Sequence, residues 1–145
     1  MTLALDTSAL LARYLEGPAR PEILGAMARD HDWCASALAL PEALMLVDRL
    51  GDDPARSSEL RREMRDDWER MHVVPVDTLC LERAAELGRT QPLRTVDTLH
   101  LAAADRLPAP VTFATFDPAQ IPVALALGFD VLSTPAGPGG HPATG

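Results

Sequence analysis

Thr2-Leu3-Ala4-Leu5-Asp6-Thr7-Ser8-Ala9-Leu10-Leu11 opens the chain with a short apolar run that stops at a carboxylate, then hydroxyl residues, then further leucines. A strand buried on both faces reads as a continuous apolar run, as in a parallel sheet. An acid at its C-terminal end lies at the rim where open α/β sheets bind ligands. Working outward, Thr7 or Ser8 can cap a helix carrying Leu10, Leu11 and Tyr14, closed by Gly17-Pro18. A second helix is expected over Pro21 to Arg29, a second strand over Asp32 to Ser36, and a helix from about Leu38 to Leu50.

Beyond Gly51-Asp52-Asp53-Pro54 the segment Ala55 to Met71 carries five arginines and five acids. That balance describes a solvated helix laced with i,i+4 pairs more readily than an arginine face for RNA. His72 to Val76 predicts a third strand, at an edge because Pro75 cannot donate a ladder hydrogen bond. Helices over Thr78 to Gly88 and Thr95 to Leu107, a strand over Pro110 to Phe116, a helix through Ala126 and a strand over Asp130 to Ser133 complete the alternation. The expected fold is a three-layer α/β/α sandwich on a mostly parallel sheet of about five strands. Residues 1–134 form its single domain, and the Pro/Gly-rich residues 135–145 are expected to be a disordered tail.

Charge excludes several functions. The chain has 13 basic and 21 acidic residues, net −8, and every basic residue is arginine. Without lysine there is no GxxxxGK[ST] phosphate loop, no Schiff-base chemistry and no phospho-acceptor receiver domain. Net acidity argues against a generic nucleic-acid binder, though not against an enzyme whose acids hold cations. No stretch approaches the ~20 apolar residues that span a bilayer, and the N-terminus has no secretory pattern. Cys34 and Cys80 lack metal spacing and suit buried, reduced thiols, so a cytoplasmic location is expected.

Four acids matter. Taken alone, Asp6 suits a helix N-cap, Asp117 before Pro118 a cap with proline at the first helical position, and Asp97 the first turn of a helix. Glu42 is different: its helical neighbours Leu38, Ala39, Met45 and Leu46 are all apolar, which places it on the buried stripe. A buried arginine or a metal ion must answer such a charge. In a doubly wound sheet Asp6 and Asp117 end adjacent strands at the topological switch, and Glu42 and Asp97 open on the same rim. Carboxylates about 4 Å apart repel by about 4 kcal/mol per pair at an effective dielectric of about 20. Oxygen-preferring Mg²⁺, or Mn²⁺ in its place, is the natural remedy.

The string Leu5-Asp6-Thr7-Ser8-Ala9-Leu10-Leu11 resembles the opening of PIN-domain nucleases, above all the VapC-type toxins of toxin–antitoxin pairs. Pro41-Glu42-Ala43-Leu44, Arg94-Thr95-Val96-Asp97-Thr98-Leu99-His100-Leu101-Ala102 and Thr115-Phe116-Asp117 are similar to the family's later motifs, in order and spacing. The resemblance implies an Mg²⁺-dependent endoribonuclease in which Asp6, Glu42, Asp97 and Asp117 hold the ion, with Ser8, Thr95 and Thr115 supporting them. It further implies cleavage to a 5′-phosphate and a 3′-hydroxyl, a tRNA or rRNA class of substrate, a homodimer and a small antitoxin partner. A free-standing RNA-processing nuclease and a non-catalytic RNA-binding module are the alternatives. Many family members carry another acid shortly after the fourth; Pro118, Ala119 and Gln120 stand there instead, so a second metal site is expected to be incomplete. Arg13 and Arg94 are the expected RNA contacts. His100, one turn beyond Asp97, is read as structural and stays outside the site.

Overall fold

The computed structural model describes residues 1–133, so the tail expected over 135–145 lies outside the described residues. Five parallel strands form one sheet: β1 (Thr2–Leu5), β2 (Asp32–Ser36), β3 (His72–Val74), β4 (Val111–Ala114) and β5 (Asp130–Leu132). Their order is β3-β2-β1-β4-β5, so the chain steps outward to β3 and then returns to the other side of β1. Leu5 lies opposite Ala35 of β2 and Ala114 of β4, which aligns the C-terminal ends of the three central strands. β3 pairs only with β2 and stops before Pro75, an edge strand as its proline requires.

Alternation along the strands builds two cores. Leu3, Leu5 and Ala114 face the layer made by α1 (Thr7–Ala12), α2 (Ala19–Arg29), α3 (Ala39–Leu50) and α4 (Pro54–Trp68), with Leu10, Ile23, Met27, Val47 and Met64 filling the space. Ala4, Val111 and Phe113 face α5 (Thr78–Thr90), α6 (Thr95–Asp105) and α7 (Ile121–Ala126), where Phe113 stacks on Phe129. The expected three-layer α/β/α architecture is therefore present, and the sheet is parallel throughout. Among the described residues no helix is long and apolar enough to cross a membrane.

Two local expectations need correction. The buried stripe of α3 is Ala39, Ala43 and Val47, at i, i+4 and i+8. Glu42 sits one residue off it, about 100° around the helix, and is half-buried, while Met45 is exposed. Asp117 does not cap a helix that begins at Pro118. Its Oδ1 accepts from the Ala119 N–H at 3.0 Å, making a turn, and α7 starts only at Ile121, with Gln120 as its N-cap residue.

The charged segment behaves largely as expected: Arg56 pairs with Glu59 within α4, and Arg61 reaches Asp48 on α3. Asp67 is the exception, being buried and held by Arg13, Arg70 and the Tyr14 hydroxyl.

Candidate active site

β1 ends at Asp6, which is 1% exposed. The backbone turns there from extended to helical, so Asp6 caps α1 by accepting from the Ala9 N–H at 2.8 Å. The cap uses only one of its lone pairs. Oδ1 also accepts from the Ser8 hydroxyl at 2.6 Å, and Oδ2 accepts from the Thr115 hydroxyl at 2.6 Å and from Gln120 Nε2 at 3.0 Å. Four donors saturate a carboxylate. Both hydroxyls are themselves fixed: Ser8 Oγ accepts from the Phe116 N–H and Thr115 Oγ1 from the Asp117 N–H. Burial pushes the Asp6 carboxyl up, and the bonds from Ser8, Thr115 and Ala9 oppose that shift.

Asp97, in the first turn of α6, is 2% exposed. Arg94 grips it bidentately, Nε to Oδ2 and Nη2 to Oδ1, each at 3.0 Å. Gln120 Nε2 donates to the same Oδ1 at 3.2 Å, so one amide bridges Asp97 and Asp6. Arg94 Nη2 also lies 3.9 Å from Asp117 Oδ2. Asp6, Asp97 and Asp117 are thus linked through two donors from other residues. The Thr95 hydroxyl, expected to support the acids, makes no hydrogen bond to them among the described residues; only its carbonyl is engaged, by Thr98 Oγ1.

Glu42 lines an open cavity of about 380 Å³ with Thr7, Ser8, Leu11, Met45, Leu46, Arg49 and Arg94, and Arg94 connects that cavity to Asp97 and Asp117. Its Oε1 lies 3.4 Å from His100 Nε2. Hydrogen bonding from His100 and Thr7, with the charge of Arg94, holds its carboxyl below the usual glutamate value against a smaller desolvation effect. His100 is buried, with Nε2 2.9 Å from Thr7 Oγ1 and Nδ1 2.9 Å from Ser36 Oγ. One imidazole therefore ties α6 to α1, to the end of β2 and to Glu42. The tautomer that serves Glu42 carries its proton on Nε2 and accepts from Ser36 at Nδ1.

Sequence reasoning left out His100 and Gln120. The only signal for His100 was its i+3 position from Asp97, which puts both on one helix face. Gln120 was noted only as standing where many family members carry a further acid, and its burial follows from where α7 begins. Arg13, expected beside RNA, is at the far end of α1 from Asp6, with Nε 2.8 Å from Asp67 Oδ2 and its guanidinium over Trp33. Arg94 does stand in the cleft, with its side chain 75% exposed.

A model of the PIN domain matches residues 3–124, through β1, all four acids and most of α7. The chain belongs to the PIN domain family. Among solved structures, the FitAcB structure from Neisseria gonorrhoeae superposes with a TM-score of 0.69 at 18% identity, covering 90% of this chain and 96% of that one. VapBC2 from Rickettsia felis, bound to a DNA fragment from its promoter, gives 0.67 at 13% identity, covering 92% and 98%. A toxin–antitoxin complex from Klebsiella pneumoniae gives 0.62 at 17% identity, covering 81% and 87%. At such identities the likeness is one of fold. No curated protein sequence matches significantly.

The donors of this PIN domain fit a hard divalent cation in chemistry: four carboxylates, with no thiolate and with the imidazole turned to hydroxyls and Glu42. Gln120 Oε1 fits as well, being the only buried side-chain polar atom without a partner among the described residues. As placed, however, no three potential ligands converge among those residues. Gln120 stands between Asp6 and Asp97, and Arg94 between Asp97 and Asp117.

Proposed function

We propose that this PIN domain is a metal-dependent endoribonuclease, the toxin half of a toxin–antitoxin pair, with Asp6, Glu42, Asp97 and Asp117 as its Mg²⁺ ligands and Mn²⁺ as a substitute. The observation that supports this reading is the linkage of the four acids: Gln120 joins Asp6 to Asp97, and Arg94 joins Asp97 to Asp117 and lines a cavity with Glu42. Burying that much negative charge stabilises nothing by itself. Carboxylates gathered in this way are suited to binding cations at an anionic substrate. One of the similar solved structures is described as a toxin–antitoxin complex, which supports a small antitoxin as partner. A homodimer, a tRNA or rRNA substrate and a cytoplasmic location belong to the same proposal.

When bound, Mg²⁺ supplies Lewis-acid polarisation of the scissile phosphate and a more acidic water. The chain does the positioning. Ser8 and Thr115 hold Asp6 in one orientation, and His100 with Thr7 keeps Glu42 ionised at the cleft wall. Arg94, exposed at the mouth, is placed to meet an anionic backbone.

The test is cleavage of structured RNA in Mg²⁺ and in chelator. Asp6→Asn is a poor probe because each of its oxygens accepts from two donors, and the amide nitrogen in place of either oxygen would face two of them with its own N–H groups. Glu42→Gln is cleaner, since its carbonyl still accepts from His100, and Asp117→Asn still accepts from the Ala119 N–H. Each is expected to lower the Mg²⁺-dependent rate by roughly 100-fold with the fold retained. Cleavage at wild-type rate by both variants, or equal cleavage in chelator, overturns the proposal.

A further inference from the structure

We propose that Arg94 is a displaceable internal counterion: its guanidinium and an incoming divalent cation compete for Asp97 and Asp117, and loading of the site requires the arginine to leave. The inference rests on the metal reading above and goes beyond it, because it assigns the step that opens the site.

Lone pairs carry the argument. A carboxylate offers about four acceptor positions. All four of Asp6 are taken. On Asp97, Oδ1 accepts from both Arg94 and Gln120, and Oδ2 accepts from Arg94. A cation can bind Asp6 directly only if a donor withdraws, and the one open position of Asp97, on Oδ2, lies beside the Arg94 guanidinium. Ser8 and Thr115 each also accept a backbone N–H, so their movement breaks two bonds. Gln120 is 1% exposed and packed at the start of α7. Arg94 is different on every count. Its side chain is 75% exposed, and the residue stands at the N-cap of α6, outside the helix proper. A guanidinium that swings outward moves through solvent it already touches, whereas Thr115 and Gln120 are buried and Ser8 is tied to the Phe116 N–H.

Charge points the same way. Arg94 is the only cation within 4.0 Å of Asp97 and Asp117 among the described residues, and it lines the cleft with Glu42. It performs in the metal-free protein the neutralisation that a divalent ion performs in the loaded one. Two cations that neutralise the same oxygens exclude each other, so the free energy lost by the guanidinium appears as weakened metal affinity. Removing Arg94 therefore has opposite effects on the two states. The metal-free protein loses its counterion and stability; the loaded protein, from which the guanidinium has already departed, loses neither.

Calorimetric titration of the full chain with Mn²⁺, at mildly alkaline pH so that protons do not compete, tests this on the wild type, Arg94→Gln and Arg94→Lys. The glutamine variant is expected to bind Mn²⁺ roughly three- to tenfold more tightly, and the lysine variant, whose ammonium cannot grip both oxygens, to fall between. Thermal melts supply the second readout: Arg94→Gln melts below wild type in chelator and together with it at saturating Mn²⁺. Unchanged or weaker Mn²⁺ affinity overturns the inference, as does a melting gap that persists at saturation, which marks Arg94 as purely structural. If the wild type binds no Mn²⁺, or binds it equally after Glu42→Gln and Asp117→Asn, the metal reading itself has failed. Should Arg94→Gln aggregate, the lysine variant still reports the affinity change.

Discussion

Gln120 donates from one amide nitrogen to Asp6 Oδ2 at 3.0 Å and to Asp97 Oδ1 at 3.2 Å, holding together carboxylates that are 91 positions apart in the chain. The opposite amide orientation would aim a carbonyl at two carboxylates, so this one is enforced by charge. Gln120→Leu removes both bonds while keeping the bulk. It is expected to destabilise the metal-free protein by about 1–3 kcal/mol in urea titration. Gln120→Glu adds a fifth acid and is expected to lose more in chelator, with most of the loss recovered in Mn²⁺. A leucine variant as stable as wild type would show that the bridge is dispensable.

His100 serves Thr7, Ser36 and Glu42 from inside the protein. His100→Leu leaves two buried hydroxyls and one carboxylate short of a partner. The expected cost is about 2–4 kcal/mol, together with slower RNA cleavage because Glu42 is no longer held. Thr7→Val, which removes only one hydroxyl, should cost less. Chemical denaturation of both variants, with cleavage rates measured under folded conditions, checks the order.

The lowered pKa of Glu42 gives a pH signature. Its folded value lies below 4.5, so its contribution to stability is complete above the ordinary glutamate value and is lost as pH falls through the folded one. Asp6 is shifted the other way by burial, and its ionised form weighs against the fold at neutral pH. Wild type and Glu42→Gln should therefore differ in stability by a constant amount above about pH 5 and converge in acid. Urea midpoints measured across the acid range decide this; a gap that widens as pH falls contradicts the assignment.

Arg13 answers the charge of Asp67, whose carboxyl is lowered by Tyr14, Arg13 and Arg70 despite the burial that opposes them. Arg13→Met is expected to cost about 1–3 kcal/mol, since Arg70 and Tyr14 remain as partners, and to leave the rate of RNA cleavage unaltered. Paired unfolding and cleavage assays separate this from a role in RNA contact, in which the rate falls and stability does not.

Much of the fold was legible because β1 is apolar from Leu3 to Leu5 and bounded by a carboxylate, and because Pro75 suits only an edge. Asp6 was legible twice over, as a helix cap and as a rim acid, and it is placed as both. What escaped was set by tertiary contact. Glu42 missed the buried stripe by one residue because the packing of α3 on α1 and α4 selected Ala39, Ala43 and Val47, the smaller side chains. His100 acquires its partners from three other elements, and no local pattern encodes three elements at once. The Arg94–Asp97 pair was readable from its i,i+3 spacing, but the exposure that frees one partner and buries the other was not.

The position of β1 at the middle of the sheet governs when during synthesis Asp6 acquires its partners. A nascent chain that has emerged as far as α5 holds Asp6 and Glu42 yet lacks β4, so one side of β1 has no neighbour and Asp6 has neither Thr115 nor Gln120. Of the four acids Asp117 is the last to leave the ribosome, three residues after β4 ends at Ala114. Asp6 and Asp97 can take up their bridged arrangement only after synthesis has passed β4 and reached Gln120.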